Sequence, residues 1–408
     1  MRVLLLSQYY PPEVGATQTR MMEFAKYLKR KGHEVFVVCE IPNHPTGIIP
    51  EFYRGKWYHR EDQDGVTVIH TWVLTSTTKT MLTRIGFYIS FMVSGLVGGL
   101  MLPRCDVVFA TSPPLFVGVT AYLLSRLKRT PYVFDVRDLW PGAAVALGEL
   151  SNKRLIRIAE FVERFLYRHA TEITAVTRGF CAAIESTELG RRKVHWIPNG
   201  TIPSLFRPLP PSQDLIDKLD LRGRFVVTFA GTHGIAQALS SILDCAECLK
   251  NMEEIVFLFI GDGPAKARLV EDAQTRRLSN IRFHEQVPLN QIPEFIAISQ
   301  LMLVPLRRQA IFDTFIPSKM FDFMACGKPV ILTVPGEARE ILEEAGAGCY
   351  VEPEEPAQLA EAIISLKEQP GQREQYGERG YEYVIRRFTR ETSSAALEQL
   401  LKTCIAPR

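Results

Sequence analysis

Short unbroken apolar runs alternate with amphipathic stretches along the 408 residues, the pattern of parallel strands covered by helices on both faces. Residues 3–7 open the series as a strand, and a helix from about 19 to 31 follows. Met22, Phe24, Ala25 and Leu28 form its buried stripe and Gly32 stops it. Runs at 34–38, 106–111, 132–136, 173–176 and 194–197 continue as strands of a first sheet. Pro198, Asn199, Gly200 and Pro203 then punctuate the chain, and 206–211 reads as a linker. A second series begins at Phe225, with strands at 226–230, 256–260, 281–284, 301–304 and 330–333 separated by helical patterns. The fold class predicted is α/β, with two Rossmann-like parallel-sheet domains, 1–203 and 204–385, facing a central cleft. Ligands of such sheets sit beyond the carboxyl ends of the strands, so the loops that follow each strand are the ones expected to carry chemistry.

Composition narrows the class. With 46% apolar and 23% charged residues the chain has ordinary globular make-up, and its length suits two cores. A net charge of +3 is too mild for a nucleic-acid binder but leaves room for a local basic face beside anionic lipid. The eight cysteines have no framework spacing; Cys245 and Cys248, inside a helical pattern, read as buried thiols of a cytoplasmic protein. The first apolar run breaks at once into Tyr9, Tyr10, Pro11 and Pro12, too short for a secretory leader, so the mature chain is expected to start there.

The richest stretch is PSKMFDFMACGKPVI, residues 317–331. Ser318 is expected to cap a helix whose first amides face the end of the preceding strand, where an anion is favoured, and Lys319 adds a full charge. Asp322 follows one turn later, and Gly327 ends the helix in the left-handed conformation. Other strand-end loops fit the same theme. Gly15 and Ala16 allow close backbone approach before a helix, without the G-x-G-x-x-G spacing of a dinucleotide site. Gly231 and Gly234 do so after the strand at 226–230, and Asp262 and Gly263 lie in the turn IGDGP. Arg307 and Arg308 stand at the end of the strand at 301–304, either as anion ligands or as a solvated pair. FDVRDLWPG, residues 134–142, gathers Arg137 and Asp138 at another strand end, either for catalysis or to knit the loop together. Asp62, Gln63 and Asp64 spell an Asp-x-Asp, but within the polar stretch HREDQDG it reads as a solvated turn rather than a metal site.

Residues 317–331 resemble the nucleotide-sugar signature of glycosyltransferase family 4, in which an acidic residue on this helix holds the donor ribose. Asp322 falls on the second acidic position and Thr314 on the first. The form Pro317-Ser318-Lys319 resembles the bacterial subgroup related to the L-fucosamine transferases of O-antigen assembly, where the first acid is often absent. The resemblance runs over nearly the whole chain and implies the GT-B fold, with a final helix (386–408) crossing back onto the first domain. It further implies that Gly15, Ala16, Gly231, Gly234, Asp262, Gly263, Arg307, Ser318, Lys319 and Asp322 line the donor site. Asp138, with Arg137 where many members have histidine, is the catalytic candidate, orienting an acceptor or sugar hydroxyl. A retaining transferase of this kind needs positioning and charge stabilisation rather than a strong base, and no metal or other cofactor is expected.

The stretch 81–102 is the most apolar in the chain, touches the lower length of a bilayer span, contains Gly86, Gly95, Gly98 and Gly99, and ends at Pro103. It reads either as a core helix or as a one-leaflet insertion flanked by Lys79, Arg84 and Arg104. The second reading would bring the cleft to a lipid-linked acceptor, by resemblance a polyprenyl diphosphate sugar on the cytoplasmic face of a bacterial inner membrane. The function expected is therefore transfer of a sugar from a nucleotide-diphosphate sugar to such an acceptor in surface polysaccharide synthesis. A sugar-nucleotide epimerase of the same fold and a catalytically silent membrane-bound partner remain as alternatives, distinguished by donor hydrolysis or transfer.

Overall fold

A computed structural model describes residues 1–44, 46–77, 80–146, 148, 150–187 and 194–405. Two compact units emerge: Met1–Asn199 joined by Arg390–Arg408, and Gly200–Thr389. The boundaries therefore fall at 199/200 and 389/390, where the sequence suggested 203 and 385.

The first unit holds an eight-stranded sheet made of β1 (Arg2–Leu6), β2 (Glu34–Glu40), β3 (Tyr58–Gln63), β4 (Val66–Thr71), β5 (Val107–Ser112), β6 (Tyr132–Val136), β7 (Glu172–Ala175) and β8 (Val194–Trp196). Their order is β3-β4-β2-β1-β5-β6-β7-β8. All neighbours are parallel except β3, which pairs antiparallel with β4. That hairpin corrects the reading of HREDQDG as a turn. Residues 58–63 alternate between exposed and half-buried and carry no apolar signal, so an edge strand was invisible in the pattern. Only Asp64 and Gly65 form the turn, both with positive φ, as a tight hairpin requires.

Helix α1 (Ala16–Arg30) begins three residues before the expected start, because Gly15 is extended and its carbonyl already accepts the first helical bond from Thr19 at 3.0 Å. Its buried stripe is Met21, Phe24, Ala25 and Leu28, the regular i, i+3, i+4, i+7 set, with Met22 only at the margin. The helix Arg390–Ile405 completes this core, contributing Leu397, Leu400 and Leu401 beside Val3, Leu5 and Met21.

Helix α2 (Met81–Met101) is capped by the Thr80 hydroxyl, which accepts from the Thr83 amide at 3.3 Å. Two of its four glycines lie on its packing face. A Cβ on Gly98 would press on Thr71 and Val38 of the sheet, and one on Gly99 on Leu124 of α3 (Phe116–Lys128). The opposite face is bare: Ile89, Val93, Val97, Leu100 and Met101 are exposed, and only 22% of the 83–101 stretch is buried. Lys79, the first of the expected flanking cations, lies outside the described residues. Two further helices follow β6, the short α4 (Gly142–Ala146) and the long α5 (Lys153–His169), which Asn152 caps.

The second unit holds β9 (Phe225–Ala230), β10 (Ile255–Ile260), β11 (Ile281–His284), β12 (Leu301–Pro305), β13 (Val330–Thr333) and β14 (Gly348–Tyr350) in the order β11-β10-β9-β12-β13-β14. Every pair is parallel. Runs such as IVFLFI are buried throughout, as strands covered on both faces must be. Cys245 packs into this core, whereas Cys248, the last residue of its helix, is exposed, so only half of the predicted buried pair holds.

Candidate active site

In the second unit the turns after β9, β10 and β11 are laced together by their own backbone. The Gly231 amide donates to the Ile260 carbonyl at 2.9 Å, His233 to Asp262 at 2.8 Å, and Gly261 to His284 at 3.3 Å. The approach is so close that a Cβ on Gly261 would overlap the Gly231 carbonyl, and one on Gly263 would come 2.5 Å from that of His233. Gly261 and Gly263 also have φ of +134° and +155°, so glycine is required twice over. Asp262 spends its carboxylate on its own turn, accepting from the Gly263 amide at 2.7 Å.

Helix Lys319–Ala325 brings Lys319 onto this shelf. Its Nζ sits 3.9 Å from the centre of the Phe229 ring and 2.5 Å from where a Gly231 Cβ would lie. Among the described residues no carboxylate forms an ion pair with it, and burial brings its ammonium down to about 7. A half-buried cation thus stands against an aromatic face at a strand end. Asp322 stands one turn further along the same helix. Ser318 does not cap: its backbone is already helical and its hydroxyl makes no capping bond, since Pro317 and Ser318 themselves supply the first carbonyls of the turn. Gly234 lies at the N-terminal end of the short turn 235–237, with a would-be Cβ 2.5 Å from Gln237 Oε1. Arg307 joins through its amide, which donates to the Ala236 carbonyl at 2.9 Å, whereas Arg308 turns away to Glu355 at 2.8 Å and is a surface pair.

Sequence reasoning missed His233. It is fully buried between Phe229 and Phe259, and although the Ile260 carbonyl lies near, neither ring nitrogen makes a hydrogen bond. Burial first, then the positive Lys266 and Lys319, hold it neutral down to about pH 4. A histidine between two glycines of a strand-end turn was the available signal.

In the first unit, the loops after β1 and β6 meet. Arg137 hydrogen-bonds through its guanidinium to the Thr17 hydroxyl, which places it against the Gly15–Ala16 turn. Burial and the neighbouring Arg20 bring Arg137 down to about 9, so it keeps its charge at neutral pH. Its amide donates to Ser112 at 3.0 Å, and Trp140 bonds back to the Asp138 carbonyl at 3.0 Å, a tight turn that holds Asp138 half-buried beside Arg137.

Beneath this turn lies a fully buried ion pair, Arg20 with Asp135 at 3.2 Å. Asp135 also accepts from Thr111 at 2.8 Å and Thr174 at 2.7 Å, and Arg20 reaches the carbonyls of Ile197 and Pro198. A second unforeseen group is acidic. Glu13 accepts from the Asn43 and His44 amides at 2.7 Å each, and Glu40 accepts from Gln8 at 2.7 Å and Asn43 at 2.9 Å. Burial raises Glu13 to about 7, and burial together with Glu13 raises Glu40 well above the carboxylate range. Such a pair offers both donors and acceptors at the carboxyl ends of β1 and β2.

Known proteins resemble the chain along its whole length. Residues 15–200 match the family model described as glycosyl transferase 4-like domain, and 213–383 match glycosyl transferases group 1. The chain is 25% identical over 406 residues to the putative colanic acid biosynthesis glycosyl transferase WcaI of Escherichia coli, covering 95% of this chain and 98% of that protein. Sucrose-phosphate synthase of Thermosynechococcus elongatus superposes with a TM-score of 0.80 at 16% identity, covering 99% of each chain. Anabaena Alr3699/HepE in complex with UDP-glucose superposes at 0.72 and 17% identity over 99% of this chain and 100% of that one. With interlaced glycine turns beside Lys319 at the strand ends of one sheet and a polar loop cluster in the other, the chain is a glycosyltransferase of the GT-B fold, built from a glycosyl transferase 4-like domain and a group 1 domain.

Proposed function

We propose that this glycosyltransferase moves a sugar, with retention and without a metal, from a nucleoside-diphosphate sugar to a lipid-linked glycan in bacterial surface polysaccharide synthesis. The observation that carries the reading is Lys319, a cation without a carboxylate partner among the described residues, pressed against Phe229 and Gly231 at a strand end. HepE, which resembles this chain in fold, binds UDP-glucose, and WcaI is named for colanic acid biosynthesis; both support the donor class and the polysaccharide context. The Pro317-Ser318-Lys319 form favours the subgroup related to L-fucosamine transferases.

In this reading the bond from the anomeric carbon to the donor phosphate breaks while the acceptor oxygen bonds to the same face. The acceptor's proton passes to the leaving diphosphate. Lys319 and nearby turn amides stabilise the charge that develops there, and Asp138 orients the acceptor hydroxyl with Arg137 beside it. Release of nucleoside diphosphate from a panel of nucleotide sugars, with and without a polyprenyl diphosphate sugar, tests the proposal. Asp138→Asn is expected to lower turnover by about 100-fold with donor affinity nearly unchanged, as for a group acting mainly in the transition state. Equal turnover would return Asp138 to loop support.

The acceptor's lipid calls for a membrane surface, on the cytoplasmic face of the inner membrane. Exposed Val93, Val97 and Met101 of α2, and exposed Ile158 and Phe161 among Arg154, Arg157, Arg164 and Arg168 of α5, support partial insertion. The protein is expected to float with anionic liposomes at low salt. Replacing Val93, Val97 and Met101 with serine should return it to the soluble fraction without lowering its melting temperature; flotation unaffected by these changes would exclude α2 as the anchor.

A further inference from the structure

An apolar groove of about 310 Å³ runs between α2, the start of α3 and α5, within the 300–1,000 Å³ or so typical of ligand pockets. Ile85, Ile89, Phe116, Leu155 and Ile158 line it, and Arg84 is the one charged side chain among the described residues of its wall. Two neighbours tie it to the loops of the first unit. Trp140, in its wall, bonds back to Asp138, and Tyr88, also in its wall and stacked near Phe116, lies within hydrogen-bonding reach of Tyr9 in the loop after β1. Outward, the groove merges with the bare apolar residues of α2 and α5, since Ile89 and Ile158 are 41% and 59% exposed while also lining it.

We propose that this groove holds the first isoprene units of the acceptor's own lipid, resting on the reading above that the acceptor is lipid-linked. The wall chemistry selects the occupant. A hydrocarbon chain gains from the dry lining, while the diphosphate at its head meets Arg84 and the exposed basic residues of α5. The walls at Trp140 and Tyr88 border the Asp138 turn and the β1 loop, so a chain seated here delivers its sugar to the loops that carry Asp138, Arg137 and the Glu13–Glu40 pair. Membrane attachment thus becomes selection of the acceptor by its tail, not only retention at a surface.

Titration of the full chain with farnesyl diphosphate and with inorganic diphosphate, in the absence of vesicles, tests this. Farnesyl diphosphate is expected to bind at least about tenfold more tightly. Ala144 also lines the groove, and Ala144→Phe, which fills it, should lose about tenfold in that affinity, and Ile158→Ser, at its exposed lip, a smaller factor, both with unchanged nucleotide-sugar affinity. If Ala144→Phe does not fold, Ile158→Ser carries the test. Equal binding of the two diphosphates, or wild-type affinity in the folded variants, overturns the groove. Transfer to polyprenyl-linked sugars with the same tail preference in wild type and variants also overturns it, while leaving the lipid-linked acceptor standing. Farnesyl binding that the variants weaken, in a protein that transfers to no lipid-linked sugar, keeps the groove and removes that acceptor reading instead.

Discussion

Removing the Lys319 ammonium by substitution to alanine is expected to weaken nucleotide-sugar binding by about 10–100-fold, because a charge-assisted bond contributes roughly 1.5–3 kcal/mol and each 1.4 kcal/mol is tenfold. The effect should depend on pH with a defined sign. Burial alone brings the free ammonium to about 7, and a bound diphosphate would raise it by supplying the missing negative charge. Binding therefore takes up a proton above about pH 7, and affinity should fall as pH rises through that point, by up to tenfold per unit, and level off below it. The phosphate oxygens of a nucleotide sugar do not titrate in this range, so the dependence belongs to the protein. Calorimetry from about pH 6 to about pH 9 measures it, with Lys319→Met as the flat control. A wild-type affinity independent of pH, or unchanged by folded Lys319→Ala, would remove Lys319 from the donor site.

The other large effect is on stability. Asp135→Ala should cost about 3–5 kcal/mol, because it strands the fully buried Arg20 charge and unpairs Thr111 and Thr174. For a unit of this size that is a melting temperature lowered by roughly 10 °C. Arg20→Met should cost a similar amount, and the double variant little more than either single one, since both remove the same interaction. Additive losses would mean that the two side chains are stabilised separately. The pair lies directly under the turn that carries Arg137 and Asp138, so activity should be lost in variants that remain folded.

Both sheets were legible because β1 in the first and β9, β10 and β12 in the second are apolar at nearly every position, as strands covered on two faces are. The position of Lys319 was legible as a charge at a helix start after a buried strand, and the structure places it against Gly231 and Phe229. What escaped reading depends on contacts between distant residues. Glu13 and Glu40 are ordinary acids until Asn43 draws them together, and Arg20 is an ordinary helix arginine until Asp135 meets it across 115 positions. β3 escaped because an edge strand needs no apolar residues, and the packing role of Gly98 and Gly99 in α2 was hidden because it depends on the sheet and on α3. Ser318 shows the converse, a good capping residue whose backbone turns helical too early for its hydroxyl to cap.

The sixteen-residue helix Arg390–Ile405 sets a timetable for synthesis. Protein chains leave the ribosome amino end first, and domains commonly fold as they emerge. Here the strands β1 to β8 are all made before residue 200, yet Leu397, Leu400 and Leu401, which share one core with Val3, Leu5 and Met21, are translated only after the whole second unit. The second unit is contiguous and can finish first; the one that begins the chain must wait with part of its apolar interior uncovered. A nascent chain stalled at residue 389 should therefore be a good client for a chaperone, and the fragment 1–199 a poor one to express alone, whereas 200–389 should be obtainable as an independent soluble piece.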